Sequence, residues 1–174
     1  VLTSAVLGTS TFGSNKSRGL LVTTADSATI SSFTVQSSTF QGNFVATDAT
    51  GIAGSGAPSR QGMVASPGPN EPSNATVGGS APGQGNVFAA NAYYGLWFHT
   101  AAAGNVVRGN NFGVGADGVT ALGNGQAGLR VGYASTSGIT VGGTGAGEGN
   151  VFANNGGAGV LVQDGWNHRI RGNS

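Results

Sequence analysis

Residues 83–91 read GQGNVFAAN and residues 147–155 read GEGNVFANN, so nine nearly identical residues recur 64 positions apart. A repeat constrains the fold more than any single motif, because like sequence at a fixed period asks for like structure stacked upon itself. Shorter echoes lie beneath the long one. A tetrad of Gly, apolar residue, any residue, apolar residue begins at Gly19, Gly62, Gly95, Gly128 and Gly159, with the last three intervals 33, 33 and 31 residues. A second pattern reads TVGG at 76, VVRG at 106, TVGG at 140 and RIRG at 169. A third places Phe after a Gly/Asn turn, as GNF at 42, GNVF at 85, GNNF at 109 and GNVF at 149, with STF at 10 as a degenerate copy.

Three short alternating strands in a unit of about 32 residues cannot close a core alone, since one face of each needs a like neighbour above and below. Stacked coils meet that need: like strand lies on like strand at about 4.8 Å, and the inward side chains form columns. The sequence therefore predicts an all-β fold, a right-handed parallel β-helix (solenoid) of about five coils in one domain spanning 1–174. Its half-coils are 1–18 and 159–174, with four coils in 19–158. The expected columns are Leu20, Met63, Leu96, Leu129 and Val160 in the first sheet, Val77, Val107, Val141 and Ile170 in the second, and Phe12, Phe44, Phe88, Phe112 and Phe152 in the third. Corners need positive φ, which Gly adopts freely and Asn tolerates. Asn91 with Asn155, and Asn43 with Asn110 and Asn173, are expected to bond amide to amide between coils. Two kinds of coil alternate to give the 64-residue period. One turns at once through GNNFGV and then runs the long loop ADGVTALGNGQA, whereas the other loops early through TGAGEG.

Composition agrees with strands and turns. The chain has 34 glycines and 7% charged residues, against averages of roughly 7% and 25%, and Gly is costly inside helices. Hydrophobic residues at 38% argue against disorder. A net charge of +1 without charge runs leaves no footprint for nucleic acid or an anionic membrane. No 18-residue apolar stretch points to membrane insertion, and zero cysteines exclude disulfides.

The stretches QGNFVATDATGIAG at 41–54 and VGGTGAGEGNVFANNGGAGVLV at 141–162 resemble the repeats of bacterial cell-surface proteins with a right-handed β-helix of the pectate-lyase-like type. The resemblance covers nearly all the chain past residue 40. It implies a secreted or surface scaffold and says little about activity.

Carbohydrate chemistry of the lyase or hydrolase kind needs converging carboxylates. The acids Asp26, Asp48, Glu71, Asp117, Glu148 and Asp164 do not converge; Asp48 and Asp117 fall in equivalent loops but read as turn residues. His99 and His168 lie in different sheets without ligand partners at metal spacing. No catalytic residue, metal site or cofactor is expected. The outward row of the first sheet, Leu21, Val64, Trp97, Arg130 and Leu161, with Tyr93, Tyr94 and Trp166 in adjoining turns, is unusually apolar and reads as a contact surface. The chain begins VLTSAVLGTSTFGSNKSRG and closes HRIRGNS, two pieces whose combined length matches one coil. The leading expectation is thus a non-enzymatic structural protein that stacks on itself head to tail, with an axial rise near 24 Å per subunit from about five strand spacings. A polysaccharide-binding or carbohydrate-active β-helix, or a fragment of a larger adhesin, is the alternative.

Overall fold

The structure, a computed structural model, describes residues 73–99, 103–132 and 136–174 in full, together with the backbone of six strands within residues 1–72. Those six are β1 Ala5–Gly8, β2 Thr11–Phe12, β3 Arg18–Val22, β4 Phe33–Gln36, β5 Thr39–Gln41 and β6 Gln61–Ala65. The chain continues with β7 Thr76–Gly78, β8 Val87–Ala89, β9 Tyr94–Phe98, β10 Val106–Arg108, β11 Asn111–Phe112 and β12 Leu129–Val131. It ends with β13 Thr140–Gly142, β14 Val151–Phe152, β15 Val160–Val162 and β16 Arg169–Arg171. No helix occurs among the described residues.

Each strand pairs with the third strand before and after it, and all these pairings are parallel. Three sheets result. The first runs β3-β6-β9-β12-β15, the second β1-β4-β7-β10-β13-β16, and the third β2-β5-β8-β11-β14. The fold is therefore all-β, made of parallel sheets in a topology compatible with a parallel β-helix.

Register follows the apolar columns. Leu20, Met63, Leu96, Leu129 and Val160 are successive partners in the first sheet. In the second, Leu7, Val35, Val77, Val107, Val141 and Ile170 align. In the third, Phe12, Phe40, Phe88, Phe112 and Phe152 align. The third column differs from the expectation at one place: the partner of Phe12 and Phe88 is Phe40, and Phe44 lies outside the described residues. The STF at 38–40 repeats the STF at 10–12. The second sheet has a sixth strand: the pieces 1–18 and 159–174 each contribute a strand, β1 and β16, to it.

Packing is tight where side chains are described. Val77, Phe88, Leu96, Phe98, Val107, Phe112, Leu129, Ile139 and Val141 are fully buried in one cluster. Phe98 and Val131 form a second inward column of the first sheet, in line with Val22, Ala65 and Val162. The rings of Phe88 and Phe112 stack at 4.8 Å and those of Phe112 and Phe152 at 4.6 Å, within 10° of parallel. These are the strand spacing itself, so backbone pairing and ring stacking are satisfied by one geometry. Ile170 departs from the expected core: it is 46% exposed, because β16 ends its sheet with no strand over it. Phe152 and Val160 pack only partly against the cluster for the same reason.

The glycine that heads each of the last three tetrads is required by close approach. A Cβ on Gly95 would stand 2.8 Å from the Cβ of Phe88, on Gly128 2.8 Å from Cδ1 of Phe152, and on Gly159 2.8 Å from the Cβ of Phe152. The strand after the phenylalanine column runs directly over the rings, and only a residue without a side chain fits.

Candidate functional site

Polar groups inside the corners are bound into two ladders. In one, the Nδ2 of Asn86 donates to Oδ1 of Asn110 at 2.8 Å, Asn110 to Asn150 at 2.9 Å, and Asn150 to Asn173 at 2.8 Å. In the other, Asn91 donates to Asn124 and Asn124 to Asn155, both at 2.8 Å. Each acceptor oxygen also takes the preceding asparagine's backbone N–H, as Asn110 does from Asn86 at 3.0 Å. These side chains are consumed by structure and hold no ligand. The expected pairs Asn91 with Asn155 and Asn110 with Asn173 are real rows, each with a missing rung supplied by Asn124 or Asn150. Asn43 lies outside the described residues, yet it stands three positions past Phe40 as Asn91 does past Phe88 and Asn155 past Phe152.

The outward row of the first sheet is in register as Leu21, Val64, Trp97, Arg130 and Leu161. Leu21 and Val64 are described only in their backbone. Arg130 lies across the aromatic residues of the neighbouring round, its guanidinium carbon 4.4 Å from the Trp97 ring centre and 5.0 Å from that of Tyr94. Its Nη1 donates to the Tyr94 hydroxyl at 3.2 Å, and its Nη2 meets Oε1 of Gln163. The His99 ring packs on Trp97 with centres 4.7 Å apart. Such cation–π contacts are worth about 0.5–2 kcal/mol depending on exposure. At Trp97 and Tyr94 the row is thus covered by Arg130, as a lid. Tyr94 heads β9 and is buried instead of sitting in an exposed turn, while Tyr93 and Leu161 remain 37% exposed.

The described acids are local. Asp117 caps a hairpin excursion closed by the antiparallel bridge Val114–Ala121, its Oδ1 accepting from the Val119 and Thr120 amides at 3.1 and 2.9 Å. The Thr120 hydroxyl, then the Thr120 and Val119 amides, hold its carboxyl below the usual carboxylate range, the wrong direction for a general acid. Glu148 pairs with Arg108 at 3.2 Å and accepts from the Gly145 amide at 2.9 Å. Asp164 accepts from its neighbour Gly165 at 2.7 Å. Asp26, Asp48 and Glu71 lie outside the described residues. His168 accepts at Nδ1 from the Ile139 amide at 3.3 Å. No cluster of three or more His, Asp or Glu occurs among the described residues.

The described surface carries two sizeable hollows. One, of about 530 Å³, lies between the glycine-rich loops that hold Gly83 and Gly147. The other, of about 800 Å³, lies where the chain turns from the first sheet into the second, beside Trp166.

In comparison with known proteins, no family model, no curated protein and no solved structure matches this chain.

Proposed function

We propose that the chain is a right-handed parallel β-helix serving as a non-enzymatic structural scaffold of a secreted or cell-surface assembly, with like coils stacking on its β14–β16 face. The handedness follows the strong rule for crossovers between parallel strands of one sheet. One observation carries the scaffold reading. The polar side chains that line the corners are spent on bonds between rounds, and the phenylalanine and asparagine rows run unbroken to the last round, where their members are half-covered. Phe152, Val160 and Ile170 are apolar groups in the place where another round would bury them. Pairing of a further round with that edge, from the same chain or another, is the ordinary consequence.

A second copy of this chain meets one obstacle, since its second sheet has six strands and the others five. If β2 and β3 of a copy sit on β14 and β15, its β1 arrives one strand spacing, about 4.8 Å, too low to clear β16. A chain beginning at Ser10 has five strands in every sheet. The test is electron microscopy with light scattering over a concentration series of the chain and of that shortened form. Fibres of constant width, longer or more frequent in the shortened form, support the proposal; monomers of both at all concentrations refute the stacking. A measured activity on polysaccharide would refute the non-enzymatic reading separately.

A further inference from the structure

The hollow beside Trp166 is built differently from the lid over Trp97. Trp166 is 55% exposed, yet its backbone is fixed: its N–H donates to the Thr136 carbonyl at 3.2 Å, and its carbonyl accepts from Gly138 at 3.0 Å. An indole held in place and left bare is a platform. Behind it the floor is backbone without side chains, because Gly104 and Gly138 have φ of +88° and +58°. A Cβ on Gly138 would come within 2.9 Å of the Ala103 Cβ. The remaining wall joins Ala103 and Val106 to polar side chains. Thr140 and Ser137 are half-buried beside Arg169 and His168. His168 accepts at Nδ1 from the Ile139 amide, and its Nε2 is enclosed, with no hydrogen-bond partner among the described residues. Arg169 makes no ion pair among the described residues, and no Asp or Glu lines the hollow.

A flat apolar ring flanked by hydroxyl and guanidinium groups matches a molecule with an apolar face and a hydroxylated rim. We infer that this hollow binds a saccharide chain, one pyranose ring lying with its C–H face against the Trp166 indole and its hydroxyls toward Arg169 and the Thr140 and Ser137 side chains. The volume of about 800 Å³ falls within the usual range for small-molecule sites. Aromatic residues combine a large apolar surface with little loss of side-chain freedom on binding. The face over Trp97 does not offer the same, since Arg130 already occupies it. The scaffold reading does not require this site, and either can fail without the other.

The test is affinity electrophoresis of the chain through gels cast with soluble polysaccharides, covering a β-1,3-glucan, a β-1,4-glucan, a galactomannan and an acidic polygalacturonan. The chain is compared with Trp166→Ala and Trp166→Phe. The expected result is retardation by at least one of the four, weakened at least tenfold in Trp166→Ala and partly kept in Trp166→Phe, with unchanged thermal melts. No retardation by any polysaccharide overturns the inference, as does equal retardation of Trp166→Ala. Sedimentation showing that Trp166→Ala instead abolishes lateral self-association without glycan would also overturn it and assign the platform to a second copy.

Discussion

Replacing Asn110 by alanine tests the corner ladders where they are most enclosed. Its side chain is fully buried and has five polar partners, three of them sharing the two Nδ2 hydrogens. Oδ1 accepts from the Asn86 amide at 3.0 Å and the Asn86 Nδ2 at 2.8 Å, while Nδ2 donates to the carbonyls of Val77 at 3.0 Å and Arg108 at 2.9 Å and to Asn150 Oδ1 at 2.9 Å. Asn150 keeps the Asn110 backbone N–H at 3.0 Å in the variant, so its loss is partial. Three or four buried groups then lose a partner at about 1–3 kcal/mol each, giving about 3–12 kcal/mol in total. That is a large share of the roughly 5–15 kcal/mol by which folded domains are stable. Urea titration followed by far-UV circular dichroism reads it directly. A loss under about 1 kcal/mol would show that the ladders are decoration and that the apolar columns alone hold the rounds together.

Asn110→Asp sharpens the same argument, because the shape is kept and only the donor is lost. The second carboxylate oxygen would face three acceptors, the Val77 and Arg108 carbonyls and Asn150 Oδ1. Burial and these contacts disfavour the ionised form, so the folded pKa of this aspartate rises above its unfolded value of about 3.9. The folded state then binds more protons than the unfolded one between those two values. The penalty relative to the parent chain is therefore smallest below about pH 4 and grows as pH rises through the folded pKa. A penalty that is flat between acid and neutral pH would refute the donor assignment of the ladder.

Two further outcomes are expected. Ala90 holds φ of +54° where the matching residue of the later repeat is Asn154 at +58°; Ala90→Asn should stabilise the chain by about 0.5–1 kcal/mol, since asparagine tolerates this conformation better, and a lower thermal midpoint would contradict it. Asp117, held below the usual carboxylate range by the Thr120 hydroxyl and the Thr120 and Val119 amides, stabilises its hairpin above the unfolded value and loses that effect as pH falls through its lowered one. Amide exchange at Val119 and Thr120 should accelerate there and in Asp117→Ala at neutral pH, with core amides unmoved.

Much of this was legible because stacking forces chemistry to repeat. The tetrads marked the first sheet, and the alternation within them separated Leu96, Leu129 and Val160 from Trp97, Arg130 and Leu161. Asn124 escaped because the hairpin excursion places it twelve residues past Phe112, where Asn91 and Asn155 lie three past theirs. A different signal finds it: Asn91, Asn124 and Asn155 each precede a tetrad glycine by four residues. Phe40 was hidden by a better-looking motif next to it. The lid formed by Arg130 was half visible, since its row was evident but not the reach of a long side chain across to Trp97 and Tyr94. Nothing periodic marks Trp166, because it belongs to a single corner and to no column.

The two-round period also has a physical origin in how loops share an edge. Between β7 and β8 and between β13 and β14 the chain leaves the sheets through glycine-rich loops, whereas β10 passes to β11 through Gly109 and Asn110 alone. The two loops, a full round apart from contact by strand spacing, meet over that short corner. The Gly109 amide donates to the Glu148 carbonyl at 3.3 Å. A Cβ on Gly109 would fall 2.0 Å from the Gly79 carbonyl, and one on Gly147 2.1 Å from that of Ser80. A third loop at the intervening corner would have to occupy space the first two already fill, because they meet the corner and each other there at contact distance. The intervening round therefore sends its excess length elsewhere, into the excursion between β11 and β12. Like loops can recur at one corner no more often than every second round, and a sequence obeying that spacing repeats at 64 residues rather than 32.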